Sequence, residues 1–131
     1  MRSRVAAARF ATLATVDERG RPRVVPCCFA IEGDTAFTAV DDVKPKSTMA
    51  LRRLDRIRSR PDVALLVDHE DDDWSRLWWV RGDGRATVAE PGSPEARRGV
   101  GLLVAKYDQY RADPPPGPVI VIAIERWTAW P

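Results

Sequence analysis

The stretch Phe10-Ala11-Thr12-Leu13-Ala14-Thr15-Val16-Asp17-Glu18-Arg19-Gly20-Arg21-Pro22-Arg23-Val24-Val25-Pro26 decides the fold. Its first seven residues have the composition of a strand, and Asp17-Glu18-Arg19-Gly20 supplies a turn. The run from Arg23 to Ile31 then reads as a second strand. Pro26 inside it points to a sheet edge, a bulge or the approach of a ligand, because proline has no N–H to give the ladder. Gly33-Asp34 turns again, and Thr35-Ala36-Phe37-Thr38-Ala39-Val40 is a third strand. The first 40 residues therefore predict an antiparallel meander.

Beyond this meander the period changes. From Ser47 to about Arg58, Leu51, Leu54 and Ile57 recur at helical intervals, with Ser47 or Thr48 as N-cap and Pro61 beyond the end. Val63-Ala64-Leu65-Leu66-Val67-Asp68 is nearly continuously apolar, which predicts a strand buried on both faces. Leu77 to Gly82 resumes the sheet, and Arg85 to Val88 continues it past a turn or bulge at Gly82-Asp83-Gly84. Ser93-Pro94-Glu95 starts a second helix that runs to about Tyr110 with Val100, Leu103, Val104 and Tyr107 as its apolar stripe. After Asp113-Pro114-Pro115-Pro116-Gly117-Pro118, Val119 to Ile124 is the strongest strand in the chain. The order is mainly β with two long helices inserted, and no repeat or linker divides residues 1–131, so a single domain is expected.

Composition sets further bounds. The chain is 44% hydrophobic and 31% charged, and no apolar run approaches the ~20 residues of a membrane span. Arg9 interrupts the Ala-rich N-terminus before an export signal develops. Cys27 and Cys28 are adjacent, and bridging them to each other would be strained, so a reducing cytoplasm is the expected compartment. Net charge is only +2, too small to imply a nucleic-acid binder, and the tryptophans that might stack bases lie away from the basic residues. Nucleic acid and membrane are therefore not expected partners.

The constellations narrow the chemistry. The one histidine, His69, sits in an acidic loop without an apolar frame, which argues against a Ser/His/Asp triad. The loop's acids lack calcium-loop spacing, and no second histidine is present for zinc, so no metal site is expected. Cys27 and Cys28 lack the two-residue spacer of a redox pair. No Gly-rich dinucleotide or P-loop word occurs. Instead, Lys44-Pro45-Lys46-Ser47-Thr48 sets two ammonium groups and two hydroxyls where a helix begins, a grip suited to a phosphate. Arg52, Arg56 and Arg60 extend a basic face along that helix. Adjacent Trp78 and Trp79 face opposite ways on a strand, one toward the core and one as a wall.

These words in this order resemble the pyridoxamine 5'-phosphate oxidase-like split-barrel flavoproteins, within them the actinobacterial branch that uses the deazaflavin coenzyme F420. The matching stretches are Ala11 to Val16 with Gly20 to Pro26, Lys44 to Arg53, Arg60 to Asp68, and Trp79 to Gly82. The resemblance implies a six- to seven-stranded antiparallel split β-barrel of the FMN-binding type, and a homodimer with cofactor sites at the subunit interface. It implies hydride transfer between F420 and a small organic substrate, with FMN as the alternative coenzyme and a non-catalytic flavin or tetrapyrrole carrier as the alternative role. Lys44 and Lys46 carry over as phosphate ligands with Ser47 and Thr48 beside them. Thr38 and Pro26 line the ring or ribityl region, and Trp79 and Arg81 close it from the partner chain. The arginine and lysine pattern of true pyridoxamine phosphate oxidases is not recognisable. No side chain is singled out as catalytic, since a reduced deazaflavin carries the hydride itself. Solvent, Tyr107 and Tyr110 are the candidate proton donors, and the sequence selects none of them.

Overall fold

The computed structural model describes residues 2–40 and 48–131, with residues 48–51 as backbone only. Seven antiparallel strands form one sheet in the order β2-β1-β5-β6-β7-β4-β3. They are β1 (Ala11–Val16), β2 (Pro22–Cys27), β3 (Ala30–Glu32), β4 (Thr35–Ala39), β5 (Asp62–His69), β6 (Trp78–Ala89) and β7 (Val119–Trp130). Four α-helices accompany them: α1 (Arg2–Ala7), α2 (Thr48–Ser59), α3 (Pro94–Lys106) and α4 (Asp108–Ala112). The sheet curls around a core in which Leu13, Phe29, Leu65, Ile120 and Ile122 are fully buried. Each such side chain stabilises the fold by roughly 1.5–3 kcal/mol relative to exposure. Val5 of α1 and Leu54 and Ile57 of α2 complete the inner face, while α3 packs outside, against Phe37 and Val119.

The β1–β2 hairpin forms as read, closed by Asp17. Its carboxylate accepts from the Arg19 and Arg21 amides, each at 2.9 Å, and Gly20 takes the left-handed φ of 77° that the turn requires. The meander does not continue. The run from Arg23 to Ile31 breaks at Cys28-Phe29, and β3 pairs with β4 at the opposite edge of the sheet. No glycine or proline marks this crossing. It is held by tertiary contacts: the Phe29 amide donates to the Tyr107 hydroxyl (3.1 Å), and Lys106 Nζ donates to Phe29 O (2.9 Å). The Tyr107 hydroxyl also lies 2.9 Å from Arg9 O.

Two further expectations are refined. Trp78–Ala89 is one continuous strand, with the bulge at Asp83/Gly84, where β7 places the extra residue Glu125 between the partners Ile124 and Arg126. A Cβ on Gly84 would lie 2.1 Å from Ala123 O, so the two backbones meet there closer than any side chain permits. The second long helix starts at Ser93, whose hydroxyl accepts from the Ala96 amide (3.2 Å), but it stops at Lys106. Tyr107 is extended there, its hydroxyl tied to the crossing, and a separate turn, α4, follows.

The nearly continuous apolar run of β5 is not buried on both faces. Val63, Leu65 and Val67 point inward, whereas Ala64 and Leu66 stay half-buried on an outer face that none of the described helices covers. No described helix is long and apolar enough to cross a membrane.

Candidate functional site: a cationic cleft beside an open sheet face

The hairpin register sets Thr15 opposite Arg23, and both lean toward the inner side, where α2 approaches β1. Between them lies a cleft of about 320 Å³ lined by Thr15, Arg23, Val24, Val25, Arg52, Arg53 and Arg56. Four arginines thus border one concavity. Arg23 lies 3.4 Å from the carboxylate of Asp17, which is buried at 6% exposure. Hydrogen bonds from the Arg21 and Arg19 amides hold that carboxyl below its usual range, against the opposing effect of burial. Among the described residues no carboxylate pairs with Arg52, Arg53 or Arg56. Arg23 is partly offset by Asp17, but the charge of Arg52, Arg53 and Arg56 has no such partner among the described residues, and a cleft half walled by apolar Val24 and Val25 with that charge suits an anionic group.

Lys44, Lys46 and Ser47 lie outside the described residues, and Thr48 enters only as the first backbone turn of α2. In the sequence they immediately precede the helix whose arginines line the cleft. Arg60, read as sharing the stripe of Arg52 and Arg56, instead donates to Glu18 O at 3.2 Å, and Arg53 joins the cleft in its place.

The register gathers three of the remaining candidates on the open outer face. Pro26, Thr12, Leu66, Arg81 and Thr128 are successive cross-strand partners over five strands, so Pro26 and Arg81 share one row about 14 Å apart. Trp79 is one step along the strand, opposite Asp68 and Trp130. The Arg81 guanidinium lies 5.9 Å from the Trp79 ring centroid and 3.1 Å from Asp83. Thr38 is not brought to this face. It is 1% exposed inside the barrel beside Ile120, its hydroxyl without a hydrogen-bond partner of good geometry. It does bear on Cys27, whose thiol burial pushes up to about 11 while Thr38 and then Arg53 act in the opposite sense. Such a thiol is not a nucleophile at neutral pH, and Cys27 and Cys28 form no disulfide. Trp78 packs inward against the core and stacks with His69 at 6.3 Å, whereas Trp79 takes the opposite face of β6. Among the described residues no group of three or more His, Cys, Asp or Glu side chains is placed to hold a metal ion.

The sequence reading missed Thr15 and Arg23. Both were legible in principle, since a turn at Asp17–Gly20 fixes the hairpin register and puts them opposite each other.

The sequence matches a known family along its full length: the profile described as pyridoxamine 5'-phosphate oxidase matches residues 1–131. The chain belongs to this family. No curated protein matches it. Solved structures of the same fold include a conserved hypothetical protein of Mycobacterium tuberculosis, at 20% identity and a TM-score of 0.75, over 98% of this chain and 80% of that one. HutZ, a heme storage protein of Vibrio cholerae, matches at 14% identity and a TM-score of 0.76 over 98% and 89%. An FAD-binding protein of Mesorhizobium loti matches at 22% identity and a TM-score of 0.70 over 98% and 87%. At these identities the likeness establishes the split-barrel fold. Function rests on the site.

Proposed function

We propose that this split barrel is an oxidoreductase that binds the deazaflavin coenzyme F420, works as a homodimer and passes hydride between the coenzyme and a small organic substrate. The observation that carries the reading is that Arg23, Arg52, Arg53 and Arg56 line one cleft between α2 and the β1–β2 hairpin. The cleft fits the anionic tail of such a coenzyme, and Lys44 and Lys46, which precede α2 in the sequence, are proposed as further phosphate ligands. When bound, the deazaflavin ring supplies the hydride. The chain's own side chains bind and orient: the arginines seat the tail, and the Pro26 to Arg81 row and Trp79 provide a flat wall for a ring between two copies. FMN, with a single phosphate, is the alternative occupant of the same cleft.

Purified protein titrated with F420 and with FMN by fluorescence tests the proposal. F420 is expected to bind and its reduced form to be oxidised when an acceptor is added. Arg52→Ala with Arg56→Ala is expected to weaken binding by about 2–4 kcal/mol if both guanidiniums pair with a desolvated anion. Yellow protein that retains FMN would replace F420 with FMN, and binding without turnover would make the chain a carrier. Failure to bind either coenzyme overturns the reading.

A further inference from the structure

The inner row of β1 runs Ala11, Leu13, Thr15, and the same alternation carries it on to Asp17; the inner row of β2 runs Cys27, Val25, Arg23. Asp17 and Arg23 are therefore diagonal neighbours at the cationic cleft, and 3.4 Å separates Asp17 Oδ2 from Arg23 Nη2. The carboxylate is anchored by the turn itself. Its Oδ1 accepts from the Arg19 and Arg21 amides, while the Asp17 amide donates to Arg21 O and the Gly20 amide to Asp17 O, each at 2.9 Å. All of this asks one acceptor oxygen of the side chain, and a neutral asparagine would supply it in the same turn. Oδ2 and the negative charge are surplus to the turn, yet the side chain is kept at 8% exposure with that oxygen toward Arg23. The contact is loose. At 3.4 Å it exceeds the ~2.7–2.9 Å of a charge-assisted hydrogen bond, and the Arg23 side chain is half exposed.

We infer that Asp17 is a positioning residue that acts through Arg23: it holds that guanidinium back toward the turn, so that an anion in the cleft is gripped by Arg52, Arg53 and Arg56 and gains Arg23 only by drawing it off the carboxylate. A planar fork turned to Oδ2 is not turned to a second anion. Tethering also spares a bound anion part of the entropy of fixing Arg23, but a contact this loose fixes little, and the competition outweighs it. The cleft then binds its anion less tightly than four arginines allow. Such restraint suits a coenzyme that arrives and leaves with each turnover rather than one held permanently. This role rests on the coenzyme reading given above and adds to it the residue that limits how firmly the anionic tail is seated.

Wild type, Asp17→Asn, Arg23→Gln and the double variant are titrated with F420, FMN and inorganic pyrophosphate at about 0.15 M salt, where a bare charge beyond contact distance is largely screened. Asparagine keeps the acceptor oxygen of the turn, and tighter binding is not something that structural damage produces. Asp17→Asn is expected to tighten binding about fivefold, and the same change in the Arg23→Gln background to shift it less than about twofold. Arg23→Gln is expected to weaken the wild type by no more than about twofold and the Asp17→Asn chain about tenfold. Weaker or unchanged binding in Asp17→Asn overturns the role, and so does equal tightening in both backgrounds, which assigns the effect to bare charge. Should Asp17→Asn fail to fold, Arg23→Gln alone decides: a small loss upholds the role, and a loss of about tenfold or more in the wild type means that Arg23 already grips the anion and overturns it. The expected pattern with pyrophosphate but no binding of either coenzyme upholds Asp17 and overturns the coenzyme reading. Coenzyme binding indifferent to Asp17→Asn does the reverse.

Discussion

Replacing Tyr107 by Phe removes one oxygen from the crossing between β2 and β3, and its effect follows from proton accounting. The hydroxyl accepts from the Phe29 amide at 3.1 Å and has one proton to give. That proton is shared between Arg9 O at 2.9 Å and Phe29 O at 3.0 Å, the latter also accepting from Lys106 Nζ. The phenylalanine ring would keep the edge contact with Tyr110 (5.7 Å between centroids) and the Arg9 guanidinium 4.7 Å from its centroid. What is lost is the acceptor of a buried amide, a loss of roughly 1–3 kcal/mol. Arg9 is exposed, and water replaces its missing donor at little cost. The net destabilisation is about 2 kcal/mol. At ~2.1 cal/mol/K per residue over 131 residues, the entropy of unfolding is about 0.28 kcal/mol/K, so Tm falls by about 7 °C. Urea unfolding should show a lower midpoint at an unchanged slope. A midpoint change worth less than about 0.5 kcal/mol would refute the claim that this hydroxyl satisfies the crossing.

Gly84→Ala drives a methyl into the Ala123 carbonyl and should cost more than about 4 kcal/mol or abolish soluble expression, whereas Gly101→Ala, with open space around it in α3, should gain about 0.5–1 kcal/mol; thermal melts of the pair decide. Asp17→Asn removes a carboxylate whose folded pKa is lowered, so its stabilisation is present above the ordinary Asp range and lost as pH falls through the folded value. The gap between wild type and variant should therefore be open at neutral pH and close in acid, measured by denaturation at each pH. Burial, and then the Arg9 guanidinium, hold the Lys106 ammonium down to about 8. The folded chain consequently binds fewer protons than the unfolded one between there and the usual lysine range, and wild-type stability should rise relative to Lys106→Met as pH climbs through that window; parallel curves would contradict it.

The elements announced by local chemistry were legible in the sequence. Ser93-Pro94-Glu95 did start a helix, Asp17–Gly20 did close a hairpin, and Gly82-Asp83-Gly84 did mark a bulge. What escaped was set by distant partners. Cys28-Phe29 carries no turn residue, and the chain leaves one sheet edge for the other there because Tyr107 and Lys106, 77 and more residues away, supply the bonds. The site divides in the same way. The basic face of α2 could be read from spacing alone, but Arg23 joins Arg53 only through the approach of α2 to β1. Thr38, a site residue only by family resemblance, belongs to the interior because the parity of β4 turns it inward beside Ile120.

The two margins of the sheet have a bearing on solubility. Strand β2 closes one margin and carries Pro22 and Pro26; β3 closes the other and is three residues long. A proline withdraws an amide from an outer ladder, and a three-residue ribbon offers too little length to template a newcomer. Neither margin can recruit strands from further molecules into a growing fibril.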